Sequence, residues 1–150
     1  MRISLDTNVL AYAEGIGDED RCRLARQVIA LIPVDDVVLP VQVLGELHRV
    51  LIRKARWQAS RANNAALSWA DAFFTCDTTW QAMKSAFDLV SDHKLQIWDA
   101  LILAVSAEQM CRLLLTEDLQ NGFTWRGVTV VNPFLTTRHP LIQSFFTDRG

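Results

Sequence analysis

Two apolar rhythms alternate along the chain. Compact runs rich in Leu, Ile and Val stand at 2–5, at 36–40 ("DVVLP"), at 112–116 ("RLLLT") and at 128–132 ("VTVVN"). Each predicts a short strand buried on both faces. Between these runs the spacing turns helical. Residues 7–13 predict a helix, and a loop follows around Gly15 and Gly17. From Asp18 onward Cys22, Leu24, Ala25, Val28, Ile29 and Ile32 recur at three and four, a single buried stripe that ends before Pro33. A helix over about 41–55 would bury Val43, Leu44, Leu47, Val50 and Leu51, and two more helices are expected over about 58–74 and 79–92. Between those two, "TCD" at 75–77 reads as a short strand. The stretch "IWDALILAVSAEQM" is apolar nearly all round between 97 and 107, which predicts a helix central to the fold.

Strands alternating with helices imply an α/β architecture: a parallel sheet of four to five short strands, flanked by helices on both faces and joined by right-handed crossovers. The carboxyl ends of the strands then share one edge. The 150 residues suit a single domain able to bury roughly two thirds of its unfolded surface. The core domain is expected over 1–134. The remaining tail, 135–150, offers Leu141, Ile142, Phe145 and Phe146 at helical spacing and predicts a short docking helix.

Composition narrows the class. Half the residues are apolar, and the longest strictly apolar run, "ALILAV" at 100–105, is far short of the ~20 residues of a membrane span. An aspartate at position 6 does not suit a secretory signal core. Three isolated cysteines, Cys22, Cys76 and Cys111, lack metal-ligand spacing and fit a reducing compartment, so a cytoplasmic protein with no membrane association is expected. The net charge is −2, but residues 47–70 carry Arg49, Arg53, Lys54, Arg56 and Arg61 without one acid, which leaves −7 on the remainder. Such polarity suits a basic patch that meets phosphate, and it equally suits a solvated helix face.

Four acids fall where the topology would gather them. Asp6 follows the first strand, Glu46 lies in the second turn of the helix after "DVVLP", Asp118 follows "RLLLT", and Asp99 sits in the first turn of the central helix. Each has a structural reading of its own. Asp6 and Asp99 could cap helices, Asp118 could serve a turn, and Glu46 could pair with Arg49 or Arg53 on its own helix. Taken together, four carboxylates on one edge without cations would repel one another, and something positive should occupy the gap. All-oxygen ligands suit a hard divalent cation such as Mg²⁺, whereas His48, His93 and His139 are scattered and fit no zinc spacing. A carboxylate-bound ion points to phosphate chemistry with an activated water.

The segments "LDTNVLAYA", "VLGELHRVL", "WDALILAVSAE" and "LLLTEDLQNG", the last followed by "GVTVVNPF", stand in an order that resembles the VapC family of PIN-domain toxins over residues 1 to about 134. The resemblance implies a PIN-like fold and a Mg²⁺- or Mn²⁺-dependent endoribonuclease that inhibits translation and growth. It also implies a homodimer and a VapB-type antitoxin partner. The family's acidic quartet falls on Asp6, Glu46, Asp99 and Asp118 as catalytic residues, with Asp6 and Asp99 as metal ligands and Glu117 as the competitor for the fourth position. Thr7, Asn8 and Thr116 would be supporting polar groups. Separately, the charge distribution makes Arg49, Arg53, Lys54 and Arg56 the candidate RNA-binding residues, because a negative site needs a cationic approach for a polyanion. Two rivals remain at this point. An aspartyl-nucleophile hydrolase would want a second Asp where Asn8 stands, and a PIN-fold module could bind RNA or protein without cutting.

Overall fold

Strands and helices alternate along most of the computed structural model, which describes residues 1–147. Asp148, Arg149 and Gly150 of the expected tail lie outside the described residues. The order is β1 (Ile3–Leu5), α1 (Thr7–Ala13), α2 (Glu19–Leu31), a single 3₁₀ turn (Val34–Asp36), β2 (Val37–Pro40), α3 (Val41–Arg53), α4 (Ala59–Ala72) and β3 (Phe74–Cys76). It continues with α5 (Trp80–His93), α6 (Ile97–Glu108), β4 (Leu113–Leu115), β5 (Thr124–Trp125), β6 (Val128–Val131) and α7 (Pro140–Thr147).

The strands form one sheet in the order β3-β2-β1-β4-β6-β5, parallel throughout except for β5. Ile3 of β1 lies between Val37 of β2 and Leu113 of β4, so the centre of the sheet is aliphatic on each strand. Right-handed crossovers that run outward from β1 to β2 to β3 place α1–α4 on one face, and the return from β3 past β1 to β4 places α5 and α6 on the other. Packing agrees: α1 rests on α2 and α3, α3 on α4, and α5 on α6. Ser4, which alternates with the buried Ile3 and Leu5, shares a 2.6 Å hydrogen bond with Ser106 of α6. Every residue of α6 from Ala100 to Ser106 is buried, as its apolar circumference predicts. The tail helix α7 packs on α2 and adds Ile142 to the core.

The sheet has six strands where the apolar runs predict four to five. The additional strand, β5, is two residues long and pairs antiparallel with β6, Thr124 opposite Thr129 and Trp125 opposite Val128. Its two-residue loop, Arg126 and Gly127, has positive φ at both positions, the backbone that matches strand twist in the tightest hairpins. A strand this short has no periodicity to read.

The topology also locates a crevice. From β1 the chain moves toward β2, and from the adjacent β4 it moves toward β6. Connections that leave neighbouring strands in opposite directions leave a gap at their carboxyl ends, where open α/β sheets bind ligands.

Candidate metal centre and adjoining groove

Asp6 leaves β1 at that crevice and is only 4% exposed. Its backbone is extended while the next residue begins α1, so its carboxylate caps the helix and accepts from the Thr7 amide at 2.7 Å. The other oxygen accepts from the Thr116 hydroxyl at 2.7 Å, which links the ends of β1 and β4. Burial pushes the Asp6 carboxyl up to about 7 against the opposing pull of these two hydrogen bonds, and the nearby Asp99 and Asp118 raise it further. Cap and candidate ligand are the same group.

Asp99 arrives from α6 on the opposite face of the sheet. Burial raises its pKa first, followed by the charges of Asp118 and Glu46. The helix cap is Gln96, whose side-chain oxygen accepts from the Trp98 and Asp99 amides at 2.9 and 3.1 Å. The Asp99 carboxylate is therefore left for the crevice. Asp118 follows β4 and is oriented by the Asn8 side-chain amide, which donates to it at 3.1 Å and to Thr116 at 3.0 Å. Asp6, Asp99 and Asp118 each offer an oxygen within 4.8 Å of the others. Opposite ligands on an octahedral Mg²⁺ lie ~4.2 Å apart, so this all-oxygen set fits a hard divalent cation with little movement. Among the described residues no Lys or Arg forms a salt bridge with any of the three.

Glu46 stands beside this group rather than in it. Its carboxylate accepts from the Thr7 hydroxyl and from the Gln42 amide, both at 2.9 Å. It forms no salt bridge with Arg49 or Arg53 among the described residues. Gln42 also donates to the Trp98 carbonyl at 3.2 Å and so ties α3 to α6 across the crevice, while its own side-chain oxygen is buried without a partner among the described residues. Glu117 turns the other way from Asp118. The Tyr12 hydroxyl donates to one of its oxygens and Arg21 pairs with the other at 3.3 Å. Burial, then the hydrogen bond from its hydroxyl to Glu117, pushes Tyr12 up to about 12.

A cavity of about 650 Å³ opens beside the acids and shares Thr7, Asn8, Glu46 and Asp118 with them. Arg49, Arg53 and Lys54 line it as well, whereas Arg56, expected in the same patch, does not. Arg61 lies over the Trp57 ring at 3.6 Å. The histidines are engaged elsewhere: His48 with Asn63, His93 against Phe123, and His139 at the start of α7.

Gln42, Gln96, Tyr12 and Arg21 are the site residues that the apolar rhythm does not reveal. Only Gln42 had a signal, its position one helical turn before Glu46. Gln96 acts locally, as the cap of α6, and Tyr12 and Arg21 act through contacts with Glu117, distant in sequence.

The profile of the PIN domain matches residues 3–121. No curated protein matches the chain. Among solved structures, the fold is similar to that of Mycobacterium tuberculosis VapC20, described as a sarcin-ricin loop cleaving toxin, with 23% identity, 75% of this chain and 86% of that chain covered, and a TM-score of 0.64. It is similar also to a toxin–antitoxin complex from Klebsiella pneumoniae, with 23% identity, coverage of 88% and 98%, and a TM-score of 0.66. FitAcB from Neisseria gonorrhoeae gives 16% identity, coverage of 88% and 98%, and a TM-score of 0.62. At these identities the likeness is one of fold.

Proposed function

The chain belongs to the PIN-domain family, and from that premise we propose that it is a Mg²⁺- or Mn²⁺-dependent endoribonuclease, the toxin of a toxin–antitoxin pair. The observation that carries this reading is the meeting of Asp6, Asp99 and Asp118 at one crevice without a cationic partner among the described residues. In this proposal those three carboxylates hold the ion. When bound, a divalent cation neutralises the scissile phosphate and lowers the pKa of an attacking water.

The chain's own groups do the rest. Thr116 and the Thr7 amide orient the Asp6 carboxylate, and Asn8 holds Asp118 against Thr116. Glu46, kept in place by Thr7 and Gln42 and outside the three-carboxylate group, is the base positioned to take a proton from the attacking water. Arg49, Arg53 and Lys54 bind the flanking phosphates along the groove. Among the described residues no histidine stands at the site to activate a ribose 2′-hydroxyl, so the products should carry 5′-phosphate and 3′-hydroxyl ends.

The toxin role draws on the structural neighbours described as toxin–antitoxin complexes, and it includes a VapB-type antitoxin, a homodimer, a cytoplasmic location and arrest of translation. No helix among the described residues is long and apolar enough to cross a membrane. The domain boundary near residue 134, with α7 as an appended helix, belongs to the same reading.

Purified protein given RNA with Mg²⁺, with EDTA, and as Asp99→Asn tests the proposal. Cleavage should need the ion and vanish in the variant. Cyclic phosphate ends, cleavage that persists in chelator, or a folded Asp99→Asn enzyme of near-normal activity would overturn it. A protein that binds RNA but never cuts it would instead be a PIN-fold binding module.

A further inference from the structure

The cavity beside the acids has more apolar surface than phosphate binding needs. Ala11, Tyr12, Ile16 and Val50 line it together with the three cations. Gly17, also in the lining, has a φ of +107°, and a Cβ there would meet the Tyr12 ring at 2.9 Å, so the wall over the ring is bare backbone. A paired base is stacked inside its duplex and cannot enter such a recess, whereas an unpaired base offers an apolar face to the floor and a polar edge to the wall. The volume falls within the ~300–1,000 Å³ of small-ligand clefts, room for one nucleotide.

The wall also carries a base-reading group. Glu117 lines the cavity and is held by Tyr12 and Arg21, one partner to each oxygen. A carboxylate has about four acceptor sites and these contacts use two, so it can accept further N–H groups. Exocyclic amines on cytosine, adenine and guanine supply two such N–H groups on one nitrogen, whereas uracil offers only its ring N3–H, set between two carbonyl oxygens that repel a carboxylate.

We propose that the cavity seats the unpaired base next to the scissile phosphate, and that Glu117 selects there for a base carrying an exocyclic amine. This rests on the ribonuclease reading and deepens it: Glu117 acts as a specificity group and not as the fourth metal-site acid.

The test uses a pool of RNA hairpins with randomised loops, cut by the Mg²⁺-loaded protein and sequenced at the new ends. One position beside the cut should favour C, A or G over U. Removing that base from a well-cut member should lower kcat/KM roughly ten-fold or more and weaken its binding in EDTA as well. In Glu117→Gln, whose amide can also donate, discrimination against U at that position should fall while the loss on base removal persists. Should that variant not fold, Tyr12→Phe, which keeps the ring but frees one oxygen of Glu117, must alter the same preference. A pool cut without regard to the adjacent base, or a preference identical in the folded variants, overturns this inference alone and leaves the groove to phosphate or protein contacts. A pool left uncut overturns the ribonuclease reading and this inference with it.

Discussion

Asp6 caps α1 and, in the proposed function, also holds the metal, two tasks that conflict when no metal is bound. Its carboxyl is raised from 3.8 to about 7 by burial, so between those pH values the native state binds a proton that the unfolded chain has released. Stability of the metal-free protein should therefore fall as pH rises from about 4 to about 7, with this group contributing on the order of a few kcal/mol. Denaturant melts in EDTA should show that decline in wild type and lose most of it in Asp6→Asn; equal slopes for the two would contradict it. Metal must displace the same proton, so Mg²⁺ affinity should weaken as pH drops below about 7. Asp99 gives a second check at this scale. Gln96 is the cap of α6, so Gln96→Ala should lose ~1 kcal/mol with or without metal. Asp99→Asn should instead melt higher than wild type in EDTA, because it relieves repulsion from Asp118 and Glu46, and Mg²⁺ should narrow or reverse the gap. A lower melting temperature in chelator would remove Asp99 from the acidic group. The pattern of strand ends pointed to Asp6 and Asp118 because parallel strands deliver their carboxyl-terminal residues to one edge, whereas Asp99 comes from the first turn of α6. Choosing between Glu117 and Asp118 was not legible. These neighbours diverge because Arg21 on α2 and Tyr12 on α1 capture one of them, and partners so far away in sequence leave no local trace.

Among the elements, those with a long periodic face are read within a residue or two of their ends, and those defined by backbone conformation are not. The helix expected over 41–55 stops at Arg53, with Lys54 as its cap and Arg56 at positive φ. Apolar spacing cannot register that ending. The end of α5 has the same character: Lys94 follows His93 at φ 57° and ψ 32°, the left-handed cap usually given to glycine. Lys94 has no salt bridge or side-chain hydrogen bond among the described residues. Lys94→Gly should thus relieve ~1 kcal/mol of backbone cost, part of it returned as unfolded-chain entropy. Thermal melts should rise by a degree or more with RNA cleavage unchanged. A drop would mean that the lysine makes a contact outweighing its conformation.

At the scale of the whole molecule, charge distribution decides where a polyanion can approach. Residues 47–70 carry +5 and the remainder −7, so most of the surface repels RNA and association must be local. The sequence shows the segment but not its geometry. Folding brings Arg49, Arg53 and Lys54 to the groove and leaves Arg56 out of its lining. These residues should therefore differ in a measurement that counts phosphate contacts. Each neutralised phosphate of a single strand releases about 0.7 of a counterion, which fixes the slope of log affinity against log salt. Replacing Arg53 and Lys54 together by Gln should make that slope shallower by roughly 1.4 and weaken binding at low salt. Arg56→Gln should change neither by a comparable amount. Fluorescence anisotropy with a short labelled RNA in EDTA reads affinity without cleavage. Equal effects from Arg56→Gln and from Arg53→Gln would show that the segment attracts RNA as a diffuse patch, without the groove as its track. An unchanged slope in the double variant would assign these cations to solvent and require the strand to reach the acids by another face.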